Sequence, residues 1–210
     1  MYQPAHHRED RLDIQHALIR AFPLGTLVTV GPSGLVANHV PFLIDPEASK
    51  LGTLRAHIAR ANPQWREFDP AEEALVIFQG AERYITPSWY ETKRETGKVV
   101  PTWNYAVVHA YGAMRASWLR QQIEDLTRVN EAGRAAPWQV ADAPESFVAA
   151  MARGIVGLEI EIARLEGKWK VSQNRPEADR RGVVQGLQAE ADAPAHEMAE
   201  LVAQFGRGKD

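Results

Sequence analysis

The chain has 210 residues, 45% of them hydrophobic and 24% charged, and its 24 Lys and Arg against 27 Asp and Glu leave a net charge of −3. This composition excludes disordered, collagen-like and low-complexity classes, and it is too acidic for a protein that coats nucleic acid. With no cysteine, disulfides, thiolate nucleophiles, iron–sulfur clusters and cysteine-bound zinc are excluded; without an apolar run of roughly 20 residues or a leader-like start, a cytoplasmic protein with no membrane span is expected.

In chain order, Glu9–Phe22 reads as the first helix, with Leu12, Leu18, Ile19 and Phe22 on one stripe and Pro23 as its stop. The runs LGTLVTV and LVANHVPFLI flank Gly31-Pro32-Ser33-Gly34 and read as a hairpin. Residues 51–58 alternate, with Thr53, Arg55 and His57 on one face and Leu54, Ala56 and Ile58 on the other. Asn62-Pro63 ends that strand and opens a short helix through Trp65. ALVIFQG and RYITP are expected as two strands, WYETKRETGK as a polar excursion, and PTWNYAVVHAYG as the longest strand. A helix capped by Ser117 is expected over Ser117–Gly133, with Leu119, Ile123 and Leu126 on its apolar stripe. Asp142-Ala143-Pro144-Glu145 reads as the start of another helix. IVGLEIEIARL and KWKVSQN read as a hairpin around Glu166-Gly167, and 178–206 as two helices split at Asp192-Ala193-Pro194. The order implies an α+β fold built on a small, mostly antiparallel β-barrel.

No dinucleotide fingerprint, P-loop, nucleophile elbow or HExxH zinc motif is present. Four other constellations carry polar chemistry. Asn38 shares a strand face with Val36, Val40 and Phe42, while His39 lies opposite; a satisfied core Asn with a surface His fits as well as a ligand pair. His57-Ile58-Ala59-Arg60-Ala61-Asn62 closes a strand and opens a turn whose free N–H groups and guanidinium suit an anion; a capping Asn with a solvated Arg is the simpler alternative. Thr102 and Asn104 point one way and Trp103 and Tyr105 the other, which suits a flat heterocycle or an aromatic-rich barrel strand. Lys168, Lys170 and Ser172 form a polar face opposite Trp169 and Val171, either a phosphate grip or a lysine-protected edge strand. The charged run Thr92–Glu95 reads as a solvated loop and His6-His7 as a mobile pair. No metal site is expected.

Together these segments resemble the PaiB family of FMN-binding negative transcriptional regulators. The strings that carry the resemblance are MYQP, PLGTLVT, ANHVPF, HIARANPQW, VIFQG, YITPSWYETK, VPTWNY, IVGLEIEI and GKWKVSQNR, with Asp142-Ala143-Pro144 and Asp179-Arg180 between and after them. The resemblance implies an FMN-binding split β-barrel with flanking helices, similar to pyridoxamine-phosphate oxidases and flavin reductases. It also implies a homodimer with FMN at the subunit interface. Arg60 and Asn62, with His57 nearby, are then the phosphate candidates, and Asn38 and His39 flank the isoalloxazine. Thr102, Trp103, Asn104, Lys168, Ser172 and Gln173 are candidates from a facing wall. ARAN stands where oxidases of this fold carry an Arg-Lys pair. On this reading residues 1–176 form the flavin-binding domain, with a helical insert at 117–151, and 177–210 form a helical extension. A flavin-dependent oxidoreductase or a haem-handling enzyme of the same fold is the alternative. Asp179, Glu190, Asp192, Glu197 and Glu200 make the C-terminal helices acidic for DNA, so an indirect, flavin-sensing role is the easier fit.

Overall fold

The structure, a computed structural model, describes residues 1–117 and 120–206. Among these residues seven strands and six α-helices follow one another: β1 (Arg8–Glu9), α1 (Leu12–Ala21), β2 (Leu24–Gly31), β3 (Gly34–Asp45), β4 (Thr53–Ala59), β5 (Ala74–Ile85), α2 (Glu91–Thr96), β6 (Thr102–Ser117), α3 (Arg120–Glu131), α4 (Glu145–Arg153), β7 (Ile155–Lys170), α5 (Glu177–Gln188) and α6 (Ala193–Phe205). The sheet order is β1-β7-β4-β3-β2-β5-β6, and β6 pairs back with β7. Every strand but the two-residue β1 therefore has a neighbour on both sides, which removes the exposed edges that an open sheet would leave.

Two compact units divide the chain. The first comprises Met1–Leu18, Gln79–Val108 and Glu166–Asp210; the second comprises Ile19–Phe78 and His109–Leu165. In the second, the hairpin forms as expected, from Leu24↔Pro41 to Gly31↔Gly34, and Gly34 takes the left-handed φ of 92° that closes it. β3 pairs with β4 through Phe42↔Ala56, and β4 pairs with β7 through Ala56↔Leu158. The period of two then puts Leu27, Val40, Phe42, Leu54, Ala56, Ile58, Val76, Phe78, Leu158 and Ile160 on the buried face. Phe42 and Phe78 meet edge to face at 5.7 Å. Each such large side chain contributes about 1.5–3 kcal/mol by leaving water. In the first unit, α5 and α6 bury Val183, Leu187, Ala195, Met198 and Val202, and Trp169 packs against Phe205 at 6.0 Å.

Several boundaries differ from the sequence reading. The first helix starts at Leu12, because Arg8 and Glu9 are drawn into pairing with Lys168 and Gly167. The two strands expected at 74–85 are one, β5. The excursion after Tyr90 is helical, and Gly97 ends it at φ 67°. The hairpin expected at Glu166-Gly167 is absent: β7 runs straight through both residues. Gly167 serves close approach rather than a turn, since a Cβ there would sit 2.6 Å from the Glu9 carbonyl oxygen. α4 begins after Pro144, and Asp142 instead accepts the Gln139 N–H at 2.8 Å. The cap expected at Ser117 falls on the last residue of β6, and its side chain and Leu119 lie outside the described residues. The two C-terminal helices appear where expected, with Asp192 capping α6 through Ala195 N at 2.9 Å.

Candidate functional site

The predicted residues fall into two groups, one in each unit. The group in the second unit is built where β4 ends. Asn62 caps a 3-10 turn over Pro63–Trp65 by accepting the Gln64 N–H at 3.0 Å. This brings the Gln64 side chain, only 3% exposed, under the β2–β3 hairpin. Its amide nitrogen faces the Leu27 carbonyl at 3.2 Å, Thr29 Oγ1 at 3.1 Å and the Val36 carbonyl at 3.3 Å. Its oxygen accepts from Asn38 Nδ2 at 2.9 Å. Asn38 therefore has the partner that a polar residue on an apolar face requires, and Gln64 is the link between Asn38 and Asn62. His39 lies on the other face of β3 and is exposed, opposite Thr26 of β2.

Arg60 follows β4 directly. Its N–H donates to the Gly154 carbonyl at 2.8 Å. Its guanidinium Nε and Nη2 donate to the carbonyls of Arg153 and Ile155 at 2.7 and 2.9 Å. The exposed fork thus bridges the last residue of α4, whose carbonyl has no helical partner, and the first residue of β7. Trp65 Nε1 returns a bond to the Arg60 carbonyl at 3.0 Å. His57, opposite Gly157 of β7, is half-buried, and its Nδ1 is fully buried with no hydrogen-bond partner.

Burial holds the His57 imidazole below its ordinary value of 6.5. The folded chain binds that proton less readily than the unfolded chain, so the stability this group carries is complete above that value and is lost as the pH falls through it. Denaturant midpoints are therefore expected to drop between neutral pH and pH about 5, and less so in His57→Gln. Glu159, held below the ordinary carboxylate value chiefly by Arg115, acts in a lower window. An equal drop in the variant would remove His57 from this effect.

The group in the first unit sits between β6 and the end of β7. Asn104, 1% exposed, donates Nδ2 to Ser172 Oγ at 3.0 Å. Ser172 adopts φ 66°, the one left-handed residue other than glycine among those described. Gln173 folds back over the same turn: its oxygen accepts the Val171 N–H at 2.8 Å, and its amide donates to the Trp169 carbonyl. Lys170 Nζ donates to Thr102 Oγ1 and to the Trp103 carbonyl. The Trp103 ring is exposed and meets Tyr84 edge-on at 6.1 Å. Trp169 and Val171 point into the core as expected, but Lys168 is buried as well, so this is no solvated edge. His7, read as mobile, is 6% exposed and lies 3.1 Å from Gln173 Oε1. From sequence His7 reads only as one of a mobile pair, and nothing singles out Gln64. Gln64 is part of NPQW, yet an uncharged residue there gives no sign that four groups converge on it.

A mostly antiparallel sheet in which β6 pairs back with β7 is the strand arrangement of the split barrels. The family model described as "Putative FMN-binding domain" matches residues 1–164. An uncharacterized protein of Emericella nidulans is 38% identical over 249 residues, covering 100% of this chain and 99% of its own. The protease synthase and sporulation protein PAI 2 of Bacillus subtilis is 33% identical over 207 residues, 96% of each chain. Among solved structures, the FAD and heme binding protein from Mycobacterium smegmatis shares the fold, with a TM-score of 0.57 and 15% identity over 78% of this chain and 73% of that one. The chain belongs to the PaiB family of FMN-binding-domain proteins.

Proposed function

We propose that the chain binds FMN, works as a homodimer in the cytoplasm and acts as a negative transcriptional regulator of the PaiB type, with residues 1–176 as the flavin-binding domain and 177–210 as a helical extension. The observation that carries the flavin reading is the pairing of a buried, unpartnered His57 Nδ1 with the exposed Arg60 fork three residues on. A buried polar atom with no partner costs free energy that a ligand recovers. Asn62 and Arg60 supply the phosphate end, and Asn38, His39 and His57 the neighbouring sheet positions. Bound FMN supplies the redox and light-absorbing chemistry; the chain supplies placement.

The dimer reading rests on the outward face of β2 and β3. Leu24 lies opposite Pro41, Thr26 opposite His39, Val28 opposite Ala37, and Val30 opposite Leu35. Leu24, Val30 and Leu35 are exposed, Leu35 by 76%, and this strip carries no Asp, Glu, Lys or Arg. A strip of this kind, apolar but for Thr26 and His39, suits a permanent interface. The resemblance, and the whole-length match to a protein named for protease synthase and sporulation, support the regulatory reading. The acidic C-terminal helices favour indirect action over direct DNA contact.

The deciding experiment is the visible spectrum of the purified protein followed by titration with FMN and with riboflavin. FMN is expected to bind more tightly than riboflavin, and Arg60→Ala is expected to remove about tenfold of that affinity, one charge-assisted bond. Equal affinities for the two flavins, or no binding, would overturn the assignment.

A further inference from the structure

In the first unit, Lys168 and Lys170 come together without a carboxylate partner among the described residues, unlike Arg11, Arg83 and Arg181, which are ion-paired. Lys168 is 8% exposed, and its ammonium faces two rings, Tyr2 at 5.5 Å and Tyr105 at 5.3 Å. Lys170, two residues on, is tied to Thr102 Oγ1 and the Trp103 carbonyl. His7 completes the group beside Gln173. Neither lysine has a carboxylate within ion-pair distance among the described residues. The nearest acidic neighbours along β1 and β7 are already engaged: Glu9 with Arg11, and Glu166 with the Met1 ammonium. Lys168, 8% exposed, thus lacks the opposite charge that a buried lysine ordinarily has.

The charges oppose one another. Lys170 is held below its ordinary value by burial, then by Lys168 and Arg175. His7 is held low by burial against the raising effect of Gln173, with His6, Lys170 and Lys168 adding to the depression. The turn that carries the group is strained at Ser172 and is held by the buried Asn104–Ser172 pair. Strain of this kind persists where its surroundings over-determine it, and it clusters at ligand sites.

We propose that His7, Lys168 and Lys170, walled by Tyr2 and Tyr105, form a binding site for a small aromatic anion other than the flavin, a flat ring carrying a carboxylate or a phosphate. The acid group supplies the missing counter-charge, and charge-assisted bonds to the two ammonium groups hold it. The ring stacks or meets edge-on with the tyrosines, and the exposed Tyr84–Trp103 pair beside the Lys170 anchor extends the aromatic surface. This inference does not rest on the flavin reading. It takes Lys168, Ser172 and Gln173 out of the flavin wall that the resemblance implied.

The test uses the full chain, free of flavin and loaded with FMN, titrated with benzoate and with phenyl phosphate. Acetate and inorganic phosphate serve as ring-free controls. Saturable binding of either aryl anion, tighter than its ring-free control, is expected in both forms. Lys168→Met should weaken it by about tenfold and Lys168→Arg should restore it. The aryl anion should also raise the melting temperature of the parent chain, a readout independent of any variant's folding. Three outcomes overturn the proposal: no saturable binding, binding no tighter than the ring-free control, or displacement of the probe by FMN. The last would return the cluster to the flavin site.

Discussion

Alanine at Gly182 is expected to lower the free energy of unfolding by about 3 kcal/mol. Its Cβ would lie 1.9 Å from the carbonyl oxygen of Trp89. That atom is backbone, so no rotamer change relieves the clash. One turn along the same helix, a Cβ on Gly186 would fall 2.3 Å from the Trp89 indole. The two glycines therefore leave a slot in α5 for the 3-10 turn Pro87–Trp89. Asp179, in the first turn of α5, holds the adjoining segment: its two oxygens accept the Thr92 N–H and hydroxyl, each at 2.9 Å. Urea denaturation followed by tryptophan emission measures the effect. Gly133→Ala, whose Cβ would meet nothing within 4 Å, is the control and should change stability by less than about 0.5 kcal/mol. A Gly182→Ala variant as stable as the parent would mean that Trp89 does not lie in this slot.

Gln64→Ala is expected to cost about 3 kcal/mol, through the lost packing of a buried side chain and the partners it leaves unpaired. The carboxamide serves the Leu27 and Val36 carbonyls and the Asn38 amide at once. Water cannot replace it without entering the space beneath the hairpin. Gln64→Glu tests the chemistry apart from the volume. A carboxylate keeps the bond from Asn38 but turns an acceptor toward two carbonyls, so it should be at least as damaging. Because Gln64 also pins the turn that carries Arg60 and Asn62, FMN affinity should fall with it. Full FMN affinity in a destabilised Gln64→Ala protein would separate the turn from the flavin.

The parts of this fold legible from sequence are those written in local patterns. β4 alternates along Thr53–Ala59, and the Leu54, Ala56 and Ile58 face is buried as its period requires. Asn62-Pro63 and Asp192-Ala193-Pro194 cap and open their helices as such sequences do. What escaped reading depends on partners far along the chain. Gly167 looks like a turn residue until the Glu9 carbonyl is seen where its side chain would be. Lys168 and Lys170 look like edge protection until Tyr2 and Thr102 close over them. The charged run Thr92–Glu95 gives no sign that a buried carboxylate 87 residues away waits to cap it. Candidate site residues were legible as residue types; the carbonyls and rings they face were not.

Arg60 has one guanidinium and two claims upon it. Its Nε and Nη2 already serve the carbonyls of Arg153 and Ile155. An anion gripped through that same edge must displace those carbonyls, and an anion gripped through the remaining edge pulls on a fork whose other prongs are anchored. Either way, whatever settles at this arginine is thermodynamically coupled to the terminus of the 145–153 helix. The arginine would then act as a mechanical tether between the place where a ligand arrives and the segment best placed to register that arrival.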